Sequence, residues 1–192
     1  KREGNIIVNC IAYGMQYLSL YMMKSTADIT LALNAKLNNN LQNRGFKKEK
    51  VKILGGGIEI NKINNSKPQK TTKYSAIFLG RLHRTKGVFD TIPIWQEVSK
   101  QMPQAKLAII GDGPTDVKKS LEEKIKNANL SNKITMLGHL PSKKMYNIMK
   151  NADVFLFLDH EAGWGLAVAE AMTCGLPVVG YDNGVLENVY KN

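Results

Sequence analysis

Between residues 75 and 180 the sequence alternates short apolar runs with stretches of helical periodicity, and this alternation restricts the fold more than any other feature. The runs are 75–79 (SAIFL), 106–110 (KLAII), 134–137 (ITML), 154–158 (VFLFL) and 177–180 (PVVG); helices are predicted between them over 88–100, 115–127, 142–151 and 166–174. Near-continuous apolar strands need cover on both faces, and parallel neighbours need long crossovers. The alternation therefore specifies an α/β fold with a parallel sheet and helices on both faces. In such sheets ligands bind beyond the carboxyl ends of the strands, in the crevices of the strand-to-helix loops. Four loops are the places where chemistry can reside.

Upstream the pattern is less regular. Residues 6–23 carry Ile7, Ile11, Met15, Leu18 and Met22 at helical spacing, which predicts a helix packed on a neighbour. Residues 28–33 (DITLAL) and 51–54 read as short strands, with a weak helix over 35–41 that stops near Arg44-Gly45. Gly55-Gly56-Gly57 ends the second strand, and 61–72, polar and aperiodic with Pro68, reads as a linker. The expected organisation is 1–45 as part of a preceding domain, 46–74 as crossover and linker, and 75–192 as one domain truncated at its end. Opening at Lys1 without a methionine, the chain is read as a segment of a longer protein.

With 43% hydrophobic residues in 192, the chain can build a core, which excludes disordered and fibrous classes. No apolar stretch approaches the roughly 20 residues of a membrane-spanning helix. Cys10 and Cys174, far apart and flanked by apolar residues, suit neither a disulfide framework nor a zinc site and are expected as buried thiols in a reducing compartment. The net charge of +11 is uneven: residues 1–75 hold 13 Lys/Arg against 4 Asp/Glu, the remainder 14 against 12. Such an excess points to an anionic partner or to a solvated basic surface.

The first loop is Gly80-Arg81-Leu82-His83-Arg84-Thr85-Lys86-Gly87. It places Arg81 and Lys86 before a helix start, where free N–H groups and the helix dipole already favour anions. A planar guanidinium and a point-charge ammonium together make a diphosphate clamp; a basic surface turn is the other reading. The second loop, Gly111-Asp112-Gly113-Pro114, lacks the third glycine of a dinucleotide fingerprint and reads as a turn, with Pro114 at a helix start. In the third, Gly138-His139-Leu140-Pro141, backbone could line a planar base. The fourth runs from Asp159 to Pro177: Gly163 and Gly165 open a second anion cradle, and Glu170 sits in a helix otherwise built of Ala, Val, Leu and Met. A carboxylate there requires a partner, a surface lysine or the hydroxyls of a ribose.

Gly80-Arg81 and Lys86-Gly87, followed by EAGWGL from Glu161 to Leu166, Glu170-Ala171-Met172 and Gly175-Leu176-Pro177-Val178, resemble the carboxy-terminal domain of the group 1 (family 4) retaining glycosyltransferases of the GT-B fold. Gly111-Asp112-Gly113-Pro114, Gly138-His139-Leu140 and 183–187 (NGVLE) are weaker matches, and Ala27-Asp28 with Gly57-Ile58-Glu59 resemble the family's crossover between domains. The resemblance implies a Rossmann-like domain that binds a nucleotide-diphosphate sugar as co-substrate, with no metal or other cofactor, while the remnant at 1–45 belongs to the acceptor-side domain. It assigns Arg81 and Lys86, with Gly80, to the diphosphate and its departing charge. The amides near Gly163, Gly165, Leu166 and Ala167 are assigned to phosphate or sugar oxygens, Glu170 to the ribose, and Gly138, His139 and Leu140 to the base. Catalysis is expected from Glu161, Arg81 and Lys86, with retention of anomeric configuration, on a glycan, lipid-linked or cell-envelope acceptor. The family's two glutamates are separated by seven residues; here the matching position is Ala162, and either Glu161 serves through a shifted turn or the role is lost.

A fragment of this kind is expected to bind UDP or GDP without turnover. A cytoplasmic site is expected; the basic amino-terminal segment (Lys47, Lys48, Lys50, Lys52) reads first as an ordinary solvated surface and second as a peripheral contact with the inner face of the membrane, and no nucleic acid is expected as partner. A nucleotide-sugar epimerase of the same architecture is the alternative enzyme, against which the Gly80–Gly87 loop speaks. A non-catalytic nucleotide- or membrane-binding module is the alternative from another class, kept open by Ala162.

Overall fold

The computed structural model describes residues 6–68, 73–161 and 164–190. They form two compact units divided between Gly56 and Gly57.

The first unit holds α1 (Ile6–Thr26), β1 (Thr30–Ala32), α2 (Ala35–Asn43) and β2 (Val51–Ile53). β1 and β2 pair in parallel, Thr30 opposite Val51. Asn34 starts α2, its side-chain oxygen accepting the Leu37 N–H at 2.8 Å, and Gly45 at φ +83° follows its end. The core is small: Ala32, Leu41, Phe46 and Val51 are buried, with Leu20 and Met23 of α1 against them. This corrects the expectation for the first helix. Ile11, Met15, Leu18 and Met22, at the predicted packing positions, are each more than half exposed, and so are Val8, Tyr13, Tyr17 and Tyr21. α1 is apolar around most of its circumference, so spacing alone does not single out the stripe that meets the core. Cys10, expected buried, is likewise exposed on this helix.

The second unit begins with α3 (Ile60–Asn64) and continues β3 (Tyr74–Leu79), α4 (Thr91–Gln101), β4 (Leu107–Ile110), α5 (Thr115–Asn127), β5 (Ile134–Gly138), α6 (Ser142–Met149), β6 (Ala152–Phe157), α7 (Leu166–Thr173), β7 (Val178–Gly180) and α8 (Val185–Val189). Segment 46–74, expected as crossover and linker, is thus shared between the units. β2 lies in the first, while α3 belongs to the second and buries Ile63 completely. A helix of five residues with one buried side chain leaves no periodic trace in a polar sequence.

The five strands are parallel and ordered β5-β4-β3-β6-β7. Strand alternation divides the core in two. Ile77, Ala108, Ile110, Phe155 and Phe157 face one layer, closed by Ile63, Met145, Met149, Val168 and Val185. Ala76, Phe78, Leu107, Ile109 and Leu156 face the other, closed by Val88, Ile92, Trp95, Leu121 and Ile125. β3 is central: Phe78 lies opposite Ile109 of β4 on one side and Leu156 of β6 on the other. The chain leaves β3 first toward β4 and β5, then returns to add β6 and β7 on the opposite side. Strand order therefore reverses between β3 and β6, and the crevice beyond their carboxyl ends is the fold's ligand site.

Candidate functional site

The loops after β3 and β6, which carry Arg81, Lys86, Glu161 and Gly165, flank that crevice. They are held together by close backbone approach. Gly87 adopts φ +69°, and a Cβ on it would lie 2.0 Å from the Leu158 carbonyl oxygen. Gly111, at φ +143°, is as close on the other side; its Cβ would meet the Gly80 oxygen at 1.8 Å. The Leu82 N–H donates to the Asp112 carbonyl at 2.9 Å, and the His160 N–H to the Thr85 carbonyl at 2.8 Å. The first loop is thus clamped between the second and the fourth.

Within this frame Lys86 forms an ion pair with Asp159, a residue that sequence reasoning left without a role. Asp159 is 7% exposed. Its second carboxylate oxygen accepts the Glu161 N–H at 3.0 Å, and its carbonyl accepts from the Asn183 side chain at 2.6 Å. One buried acid thereby fixes the Lys86 ammonium, the start of the glycine-rich turn and the loop after β7. An acidic residue closing a fully apolar strand run was the available signal, since a buried carboxylate requires a cation or N–H groups. Arg81 is exposed, and no partner holds it among the described residues.

α7 opens on Gly165 at φ +77°. A side chain here would meet Val185 at 2.8 Å. The Gly165 carbonyl accepts the Val168 N–H at 2.8 Å, so the N–H groups of Leu166 and Ala167 head the helix without intrahelical acceptors. Tyr190 donates to the same carbonyl at 3.0 Å, and its ring meets Trp164 edge-on at 5.5 Å. Burial pushes the Tyr190 hydroxyl up to about 12. Ala162 and Gly163 lie outside the described residues. Glu161 is exposed, and no side-chain partner holds it among the described residues.

Glu170, half-buried in the second turn of α7, accepts a hydrogen bond from the Tyr146 hydroxyl at 2.7 Å. The tyrosine had given no signal: it lies 24 residues away among the core residues of α6. Burial, and then the Glu170 carboxylate, raise its pKa well above the ordinary phenol value. Four residues after Glu170, the Cys174 thiol is pushed up to about 11, mainly by burial.

The remaining predicted positions sit farther along the sheet. Gly138, His139 and Leu140 follow β5, two strands from β3. They are tied in through the Gly111 N–H, which donates to the Gly138 carbonyl at 2.9 Å. Asp112 behaves as a turn residue. It accepts from the Gly113 N–H at 2.8 Å and pairs with Lys118 at 2.9 Å, and these contacts, Lys118 first, hold its carboxyl below the usual range.

A crevice at the strand-order reversal, Arg81 and Lys86 in the β3 loop and a helix amino terminus after the neighbouring strand make an α/β domain with a candidate anion-binding site. Residues 59–192 match the family model for glycosyl transferases group 1, and the chain belongs to that family. It is 32% identical over 167 residues to an uncharacterized glycosyltransferase of Methanocaldococcus jannaschii, covering 81% of this chain and 40% of the relative. Among solved structures, the Anabaena protein HepE in complex with UDP and glucose superposes with a TM-score of 0.73 at 21% identity, over 89% of this chain and 49% of that one. WaaG, a glycosyltransferase involved in lipopolysaccharide biosynthesis, gives 0.76 at 15% identity, over 97% and 55%. The fold is that of the carboxy-terminal domain of GT-B glycosyltransferases, and the chain covers between 40% and 55% of the length of these three proteins.

Proposed function

We propose that this chain is the donor-binding part of an enzyme that moves a sugar from a nucleotide-diphosphate sugar to an acceptor with retention of configuration. The observation that supports the reading is that Arg81, the partly buried Lys86–Asp159 pair and the start of α7 all lie on the loops that follow the adjacent strands β3 and β6. Arg81 and Lys86 take the diphosphate. As the bond between the sugar C1 and the β-phosphate oxygen breaks, they neutralise charge on the leaving group, while the acceptor hydroxyl oxygen bonds to C1 from the same face and its proton passes to the departing phosphate oxygen. Stabilising that developing charge in a fixed polar site is the main protein contribution. The Leu166 and Ala167 amides hold phosphate or sugar oxygens, Glu170 accepts from the ribose, Gly138–Leu140 lie against the base, and Glu161 reaches the donor sugar. The two cations and the helix terminus supply the positive charge, so chelators are expected to leave nucleotide binding unchanged.

UDP or GDP is the expected nucleotide, and the UDP found with the Anabaena neighbour supports testing UDP first. The acceptor is expected to be a glycan, or a lipid-linked or envelope precursor, met at the cytoplasmic face of a membrane. Lys47, Lys48 and Lys52 are exposed and available to anionic lipid, whereas Lys50 turns inward and donates to the Ala27 carbonyl at 3.0 Å. Among the described residues no helix is long and apolar enough to cross a membrane.

A panel of UDP-, GDP- and ADP-sugars tested for thermal stabilisation checks the assignment. One nucleotide class should raise the melting temperature while sugar transfer by this chain alone remains undetectable. No stabilisation by any nucleotide sugar would remove the reading.

A further inference from the structure

We infer that Tyr146 is a positioning residue for the nucleotide: by holding one oxygen of Glu170 it dedicates the other to the ribose. The inference rests on the assignment of Glu170 to the ribose made above.

Glu170 has two carboxylate oxygens and about four acceptor sites. Oε1 accepts a hydrogen bond from the Tyr146 hydroxyl at 2.7 Å. Among the described residues nothing donates to Oε2. A carboxylate on an α-helix otherwise turns about its last torsion, which is broad and roughly two-fold, and a ligand that needs one orientation must select it. The hydrogen bond from Tyr146 makes that selection before the ligand arrives, which lowers the ordering cost of binding.

The donor is itself fixed. Tyr146 is 5% exposed and packed among the core residues of α6, with Met145, Ile148 and Met149 buried beside it. α6 is also bound to the segment after α3. Lys150 donates to the Ser66 carbonyl at 2.9 Å, and the Asn147 side chain accepts the Lys67 N–H at 3.0 Å. The phenol has no plausible acceptor role toward Glu170, because burial and the carboxylate keep its proton on well beyond neutral pH. The bond therefore has one direction, and Oε1 is committed as acceptor. Tyr146 touches no ligand atom on this account. It acts through Glu170 and makes the site selective for a sugar bearing hydroxyls.

The test is a cycle of two variants and two ligands, measured by calorimetric titration of the intact protein. UDP, or GDP if the sugar panel selects it, is compared with its 2′,3′-dideoxy counterpart. Tyr146→Phe keeps the ring and deletes the donor. It should weaken the ribonucleotide about 5- to 20-fold, around the low end of the scale of one hydrogen bond to a charged group because Tyr146 acts through Glu170, and change the dideoxynucleotide by less than about two-fold. Equal losses for both ligands would assign Tyr146 a purely structural role and overturn the inference, as would no loss for either. Glu170→Ala separates this from failure of the underlying reading. If Glu170→Ala discriminates the two ligands and Tyr146→Phe does not, the ribose assignment stands and the positioning role falls. If Glu170→Ala costs both ligands equally, the ribose assignment itself fails. With the positioning role correct, Tyr146→Phe combined with Glu170→Ala binds the ribonucleotide no worse than Glu170→Ala alone.

Discussion

At the scale of single residues, the site depends on a pair and a glycine. Lys86 pairs with Asp159 within the fold, and in the proposed function its ammonium, with three protons, also holds the diphosphate. Lys86→Ala should weaken diphosphate binding by roughly 1.5–3 kcal/mol, the scale of a hydrogen bond between charged groups. It also leaves Asp159 buried with only the Glu161 N–H, so stability should fall by about 1–3 kcal/mol. A titration giving equal affinity for variant and parent would take Lys86 out of the site. Gly87 answers a different demand. With φ +69° and the Leu158 carbonyl where a Cβ would go, Gly87→Ala combines backbone strain with a clash against main chain. The urea midpoint should register roughly 2–4 kcal/mol of destabilisation. The Lys86–Asp159 pair crosses the same gap, so diphosphate affinity should drop with it.

At the scale of elements, β-strand alternation made the second unit legible. β3, β4, β5, β6 and β7 each fall on an apolar run, and α5 spans Thr115–Asn127 as its periodicity predicts. Arg81, Lys86, Gly165 and Glu170 were visible because their neighbours are glycines or apolar residues among which a charge stands out. Asp159 stood out only as an acid closing an apolar run and Tyr146 not at all, because their partners lie 73 and 24 residues away and such pairing leaves no local pattern. α1 failed in the opposite way. Its spacing is helical, but so much of its surface is apolar that the spacing did not identify the buried side. The two cysteines report this difference. Cys10, exposed on α1, should react with a thiol reagent at pH 7.5 in the folded protein. Cys174, partly buried after α7 with its thiol pushed up to about 11, should react only slowly until denaturant is added. Two fast thiols would mean that the α6–α7 packing around Glu170 is looser than described.

At the scale of the whole molecule, the charge that dominates the composition is largely separate in sequence from the charge proposed to bind the donor. Residues 1–75 hold most of the +11, while Arg81 and Lys86, the proposed diphosphate clamp, lie in a nearly balanced remainder. Around α7 the second unit buries groups that are neutral, titratable and sensitive to base. Cys174 is raised from 9.0 to about 11 and Tyr190 from 10.0 to about 12, both chiefly by burial, and Tyr146 is raised as well. Each is uncharged when protonated and holds its proton more tightly folded than unfolded. The stability these groups lend is therefore complete below about pH 9, and is lost as pH rises through 11 and 12. Urea midpoints measured between pH 8 and 11 should decline over the upper part of that range. Lysines also titrate there, so the variants carry the decision. Cys174→Ala and Tyr190→Phe should each flatten the decline, since neither replacement has a proton to lose. An unchanged slope in both would mean that the base sensitivity arises elsewhere, and that the α7 region surrounding Glu170 stays closed even when its buried acids are ionised.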